Sequence, residues 1–227
     1  MKKFALIVAG GMGSRMKSET PKQFMLLAGK PILMHTIAAF AAYNKHINIL
    51  LVLPPNQVDN WNKLCKEYSF NIAHQVTNGG PTRFDSVKKG LSLIDEEGII
   101  AVHDGARPLV SRETIKNCFE TAEEKGNAVP AIILNDSIRQ FKGNENMAVN
   151  RKDYCLIQTP QCFKSKILHD AYQQGYIESF TDDASVVEML GERINIVEGN
   201  KENIKITTPG DLIIAEALMK NIPKADL

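Results

Sequence analysis

The sequence predicts an α/β protein, a mainly parallel sheet flanked by helices with a protruding β-hairpin arm. Three observations carry that expectation. Continuous apolar runs of strand length, at residues 4–9, 47–53, 98–103 and 128–134, have the pattern of parallel strands buried on both faces. Segments between them repeat apolar residues at helical spacing, so the order up to residue 94 is β-α-β-α-β-α. That alternation puts ligands at the carboxyl ends of the strands. From residue 135 to 160 the helical rhythm disappears, and Ser137-Ile138-Arg139-Gln140-Phe141, Gly143-Asn144 and Met147-Ala148-Val149 read as a hairpin leaving the sheet.

The first strand ends abruptly in Gly10-Gly11-Met12-Gly13-Ser14-Arg15-Met16. Gly10, Gly11 and Gly13 have no Cβ, which frees the backbone for positive φ and lets N–H groups converge on one small volume. The run Ala9, Gly10, Gly11, Met12 and Gly13 is therefore a candidate phosphate cradle. Arg15 can add a bidentate fork and Lys22 a compact, mobile charge, a set that matches a triphosphate. A Walker loop needs Gly-Lys-Ser/Thr, and the dinucleotide fingerprint needs a third glycine where Met16 stands. The glycines alone also read as a tight turn after a strand. Two cations beside them favour an anion.

Residues 31–43 read as a helix with Pro31 in its first turn, followed by the strand at 47–53. Residues 58–68 form an amphipathic helix, 72–76 a short strand, and 84–94 a helix with Val87, Leu91 and Ile94 on one face. The strand at 98–103 ends in Asp104-Gly105-Ala106-Arg107-Pro108. A carboxylate at that rim suits Mg²⁺ bridging phosphates, so Asp104 is the metal candidate. It also reads as a turn residue paired with Arg107. His103 reads as a packing or hydrogen-bonding residue. Ser111 caps a helix to residue 125, with Thr114 at its third position in place of a full capping box. Arg151 and Thr159 lie where the hairpin returns, able to meet an anionic substrate, although Arg151 reads equally as a surface charge. Helices follow at 164–176 and 181–190, the second with Asp182 and Asp183 as capping residues. A strand is expected at 194–198 and an extended segment at 203–207, before a last helix capped by Thr208 with Pro209 and Asp211 in its first turn. Lys205 sits on that extended segment, a solvated charge on its own evidence. From Pro223 the chain reads as frayed.

The whole chain bounds the partners. Its 227 residues, 44% hydrophobic and 23% charged, suit one or two soluble globular domains. A net charge of +1 predicts neither a nucleic-acid surface nor a membrane face, so any anion site is local. No apolar run approaches the ~20 residues that span a bilayer. Cys65, Cys118, Cys155 and Cys162 show no C-x-x-C spacing and nothing at the start reads as a signal peptide, so free thiols in a cytoplasmic protein are expected. The five histidines show no metal-ligand spacing. A two-stranded hairpin is marginal alone, and a second copy of the chain is the economical partner for it.

Seven motifs occur in order: Ala9-Gly10-Gly11-Met12-Gly13-Ser14-Arg15-Met16, Pro21-Lys22-Gln23-Phe24, Arg83-Phe84-Asp85-Ser86-Val87, His103-Asp104-Gly105-Ala106-Arg107-Pro108, Gln158-Thr159-Pro160-Gln161, Thr181-Asp182-Asp183-Ala184-Ser185 and Asn203-Ile204-Lys205-Ile206-Thr207. Over nearly the whole chain this series resembles the 2-C-methyl-D-erythritol 4-phosphate cytidylyltransferases of the non-mevalonate isoprenoid pathway. The resemblance implies a single Rossmann-like nucleotidyltransferase domain over 1–227, with residues 137–159 as an arm that reaches across a homodimer. It implies that CTP and the methylerythritol phosphate give the CDP-linked alcohol and pyrophosphate, with Mg²⁺. On it, Arg15 and Lys22 hold the triphosphate, Lys205 acts on the α-phosphate, and Asp104 acts on the metal and substrates. Gly80 and Ser86 match positions that read cytosine, and Arg107, Arg151 and Thr159 positions that bind the phosphoalcohol. Ser137 stands where many members carry a substrate-binding threonine and keeps the hydroxyl. Pro81 stands where an acidic residue occurs, and neither its ring nor its missing N–H replaces one.

The chemistry fits these residues without a triad. A phosphate monoester is already anionic at neutral pH, so the reaction needs in-line placement and positive charge more than a general base. Three rivals stand beside this reading: a cytidylyltransferase for ribitol or another pentitol 5-phosphate, a sugar-1-phosphate nucleotidyltransferase, and a non-catalytic nucleotide-binding module on the same fold. The pentitol relatives tend to carry Ser-Val for Gly105-Ala106 and Ser-Asp-Ala-Cys across 181–185. The chain follows the methylerythritol pattern at the second site, and Ala106 follows it at the first.

Overall fold

The apolar run that opens the chain becomes β1 (Lys2–Val8), and its two faces face two separate cores. The computed structural model describes residues 1–10 and 20–222; the predicted loop residues Gly11, Met12, Gly13 and Arg15, and the tail from Pro223, lie outside the described residues. A two-residue pair, β2 (Leu26–Leu27) and β3 (Lys30–Pro31), precedes α1 (Ile32–Tyr43). Next come β4 (Asn48–Leu53), α2 (Val58–Glu67), β5 (Gln75–Asn78), α3 (Arg83–Leu91), β6 (Gly98–Asp104), α4 (Arg112–Lys125) and β7 (Asn127–Ile133). The arm is β8 (Arg139–Lys142) and β9 (Glu145–Ala148), followed by β10 (Cys155–Ile157) and β11 (Gln161–Lys164). The chain ends with α5 (Ser165–Ala171), α6 (Asp183–Glu188), β12 (Ile196–Glu198) and α7 (Pro209–Asn221).

β1 pairs in parallel with β6 and with β4, and β4 in parallel with β5. Period-two alternation divides the side chains. Ala5, Ile7, Ile49 and Leu51 pack with Leu33, Ile37, Phe40 and Phe119 of α1 and α4. Phe4, Leu6, Leu50 and Val52 pack with Val87, Leu91, Leu168 and Val187 of α3, α5 and α6. Two covered faces explain why β1 and β4 are apolar at consecutive positions, Phe4 to Val8 and Ile49 to Leu53.

Several expectations shift. β11 runs antiparallel to both β6 and β7, so the sheet is mixed on that side, and β10 continues antiparallel along β7. β10 fell inside the predicted excursion and β11 beside the predicted 164–176 helix; both are too short to show a period of their own. The strand expected at 72–76 lies at Gln75–Asn78, because β4 is its partner among the described residues and the Leu50↔Gln75 register sets its place. Pro31 is the residue before α1 and not its first turn, since its ψ of 136° is extended. The two late helices are shorter than expected, α5 ending at Ala171 and α6 at Glu188.

Candidate active site

Four strand ends lock together at one rim. Ala9 N–H donates to Val52 O at 2.9 Å, Gly105 N–H to Val8 O at 2.9 Å, and Gly79 N–H to Leu53 O at 2.7 Å. These are the carboxyl ends of β1, β4, β5 and β6, where open parallel sheets bind ligands. A cleft of about 430 Å³ opens there, lined by Ala9, Gly10, Lys22, Gln23, Gly80, Arg83, Ser86, Asp104 and Lys205 among others. The Lys22 turn is tied to the glycine loop by buried Gln23, whose Nε2 donates to Ala9 O at 3.0 Å.

Asp104, the last residue of β6, is the centre of charge. Lys205 Nζ lies 2.9 Å and Arg107 Nε 3.2 Å from its Oδ2, and Arg83 Nε lies 3.7 Å from its Oδ1. Burial pushes the carboxyl up, but Arg83, Lys205 and Arg107 outweigh it and hold it well below the usual carboxylate range. Asp104 is paired with Arg107, as one of its two sequence readings has it, and it also lines the cleft. Lys205, read alone as a solvated charge, is placed on Asp104 because Ile206 N–H donates to Ala106 O at 2.9 Å.

His103 sits inside the rim. Its Nε2 meets Arg107 O at 3.1 Å and its Nδ1 meets Thr159 Oγ1 at 3.0 Å. A carbonyl only accepts, so Nε2 carries the proton and the Thr159 hydroxyl donates to Nδ1. Burial pushes this imidazole down to about 4, in keeping with the neutral form. Thr159 Oγ1 also accepts from Asp104 N–H at 3.1 Å, so this buried residue anchors the end of β6. Arg107 donates to Asn203 O at 2.8 Å, tying the Lys205 segment to the same strand end.

The second loop is built by a hydroxyl and a cap. Ser86 Oγ accepts from Gly80 N–H at 3.1 Å and donates to Thr82 O at 2.9 Å. Thr82 and Asp85 form a full capping box for α3. Gly80 has no room for a side chain, since a Cβ would fall 2.3 Å from Asp85 Cβ.

Sequence reasoning missed Arg83 and misread Asp183. Asp182 is the cap of α6, accepting from Ser185 N–H at 2.9 Å. Asp183 is instead wholly buried and receives both Arg83 Nη groups, at 2.9 and 2.6 Å, and the Tyr172 hydroxyl at 2.6 Å. Burial works against the Arg83 charge, yet Asp183 raises its pKa above the ordinary value. The signal was a charged pair 100 positions apart in two quoted motifs, which spacing alone does not join.

A family model described as 2-C-methyl-D-erythritol 4-phosphate cytidylyltransferase matches residues 4–221. The chain belongs to this family. A protein of that name from Phocaeicola vulgatus is 49% identical over 219 residues, 96% of this chain and 100% of its own. One from Bacillus velezensis is 39% identical over 224 residues, 97% of each chain. The crystal structure of the Thermus thermophilus cytidylyltransferase superposes with a TM-score of 0.79 at 33% identity, covering 97% of this chain and 100% of that one. The 4-diphosphocytidyl-2C-methyl-D-erythritol synthase of Anaerococcus prevotii gives 0.82 at 25% identity, covering 96% of each. The sheet and flanking helices are thus the family's α/β fold. Of the site residues expected in a 2-C-methyl-D-erythritol 4-phosphate cytidylyltransferase, the fold gathers Ala9, Gly10, Lys22, Gly80, Ser86, Asp104 and Lys205 on one cleft, with Arg107 and Thr159 bonded to Asp104. Ser137 and Arg151 do not line it; they are exposed on the arm, where Arg151 donates to Asn135 O.

Proposed function

We propose that this chain is the nucleotidyltransferase that joins CTP and 2-C-methyl-D-erythritol 4-phosphate, giving 4-CDP-2-C-methyl-D-erythritol and pyrophosphate in non-mevalonate isoprenoid synthesis. The observation that carries the reading is the cleft itself: a glycine strand end, Lys22 and a carboxylate paired with Lys205 line it together, in a chain of the cytidylyltransferase family. A phosphate oxygen of the methylerythritol phosphate attacks the α-phosphorus, and the bond to the bridging oxygen breaks. Its electron pair leaves with pyrophosphate. The nucleophile carries no proton at neutral pH, so no base is required. Lys22 and Arg15 hold the triphosphate and offset the charge that develops on the leaving group, while Lys205 turns from Asp104 to the α-phosphate. Gly80 and Ser86 present the cytosine loop. Arg107 and Thr159 bound the phosphoalcohol side.

Among the described residues no group of three or more His, Cys, Asp or Glu could hold a metal. Magnesium needs no such cage, since one or two carboxylates plus substrate phosphates suffice, and the single carboxylate of Asp104 fits that donor set. Bound there, Mg²⁺ would neutralise phosphate charge. Exposed Phe141, Met147 and Leu156 on and beside the arm support a homodimer, which would carry Ser137 and Arg151 to a second copy. No helix among the described residues is long and apolar enough to cross a membrane. Two water-soluble anionic substrates and four thiols favour the cytoplasm.

The test is pyrophosphate release from CTP and Mg²⁺, with methylerythritol phosphate and ribitol 5-phosphate offered side by side. Release with methylerythritol phosphate alone is expected. Release with ribitol phosphate alone would move the chain to another pathway, and silence with both would leave a nucleotide-binding module.

A further inference from the structure

Arg83 is held between two carboxylates that do different things. Its Nη1 and Nη2 fork onto Asp183 at 2.9 and 2.6 Å, which leaves Nε facing Asp104 Oδ1 at 3.7 Å on the cleft. Asp183 Oδ1 is held in turn by the Tyr172 hydroxyl at 2.6 Å, and Tyr172 stacks on Phe84 with ring centroids 4.7 Å apart. Both ends of the pair start helices, Arg83 in α3 and Asp183 in α6, yet neither serves as the cap, because Thr82 and Asp182 do. β11 clamps the second helix start: Gln161 Nε2 donates to Asp182 at 2.8 Å, and Ala184 N–H donates to Gln161 Oε1 at 2.8 Å.

Packing alone does not call for this arrangement, since a buried ion pair contributes little to stability compared with apolar residues of the same volume. It does set apart the cations around Asp104. The Lys205 side chain is 39% exposed and free to leave for a phosphate, whereas the Arg83 fork is fixed from behind. We propose that Asp183, backed by Tyr172, is a positioning residue for cytidylyl transfer: it locks Arg83 so that Asp104 keeps its place when Lys205 moves to the substrate. This role rests on the transfer reaction proposed above.

The experiment is steady-state pyrophosphate release by the full chain, with CTP and methylerythritol phosphate, for the wild type, Asp183→Asn, Tyr172→Phe, Arg83→Gln and the Arg83→Gln/Asp183→Asn double variant. A displacement of about 1 Å costs about 10²-fold, so Asp183→Asn should lose ~10- to 100-fold in kcat while the KM for CTP changes less than about threefold. Tyr172→Phe keeps the ring stack and should lose a smaller part of kcat in the same way. The double variant should be no slower than Arg83→Gln, because the two act as a unit. A folded Asp183→Asn with wild-type kcat overturns the proposal, as do losses that multiply in the double variant. If Asp183→Asn does not fold, wild-type kcat in Tyr172→Phe overturns it. A silent wild type overturns the transfer reaction and this role with it; an active wild type with unaffected variants overturns the role alone.

Discussion

Lys22 was legible as a candidate anion-binding cation because it follows a glycine-rich run within a dozen residues, and the fold places it on the cleft that Ala9 and Gly10 line. Charge set in advance around a phosphorus centre is typically worth 10²–10³ in rate, so Lys22→Ala should lower kcat about 10²-fold or more in the pyrophosphate assay. Asp104 was legible for a similar local reason, a carboxylate directly after a buried strand. Its three cationic partners come from positions 83, 107 and 205, and only the second is near in sequence. On the proposed role of Asp104, removal of divalent cation with EDTA should abolish turnover, and Mg²⁺ should restore it. Arg83 and Asp183 were not legible as a pair. Each has an ordinary helix-start explanation, and only tertiary packing brings them together.

Helix caps and tight loops join local sequence to the site at the next scale. Thr208 and Asp211 form a full capping box at α7, and Asp211 Oδ2 accepts from Thr207 N–H and Thr208 N–H at 2.8 Å each. This cap follows the Lys205 segment directly. Loss of such a cap costs about 1 kcal/mol, and Asp211→Ala should lower the Tm by roughly 2–4 °C at this chain length. Burial opposes the Asp211 charge, but the Thr207 and Thr208 donors together outweigh it and lower its pKa. Its contribution is therefore full above the ordinary aspartate value and fades as pH falls through the lowered folded value. In the second loop, Gly80→Ala would set a Cβ 2.3 Å from Asp85 Cβ and 3.1 Å from the Asp85 carbonyl carbon. Backbone cannot yield there without moving the capping box, so the KM for CTP should rise about tenfold or more.

At the scale of the whole molecule, the doubly covered sheet brings the loops after β1, β5 and β6 to one rim. The arm has little of its own to pack on: Phe141 is 74% exposed and Met147 55%. A second copy is the partner we propose, and Phe141→Asp should convert a dimer to a monomer in sedimentation velocity, with a fall in turnover if Ser137 and Arg151 serve across the interface. The sheet also shows the limit of local reading. Strands β1, β4 and β6 announced themselves as apolar runs because both their faces are covered. β10 and β11 did not, since three- and four-residue strands gain their identity from their neighbours, β10 from β7 and β11 from β6 and β7 on either side.

By itself the sequence determined the α/β alternation, the carboxylate at the strand end and, through the order of seven motifs, the family. These properties rest on neighbours within one turn, one strand or one loop. Only the tertiary structure decided that Thr159 bonds to His103 and the Asp104 N–H, that Lys205 lies on Asp104, that β11 runs antiparallel between β6 and β7, and that Asp183 holds Arg83 and does not cap a helix. The physical reason is the same in each case. A hydrogen bond or ion pair between residues tens of positions apart depends on where the packed sheet carries them, and burial then makes the pairing obligatory.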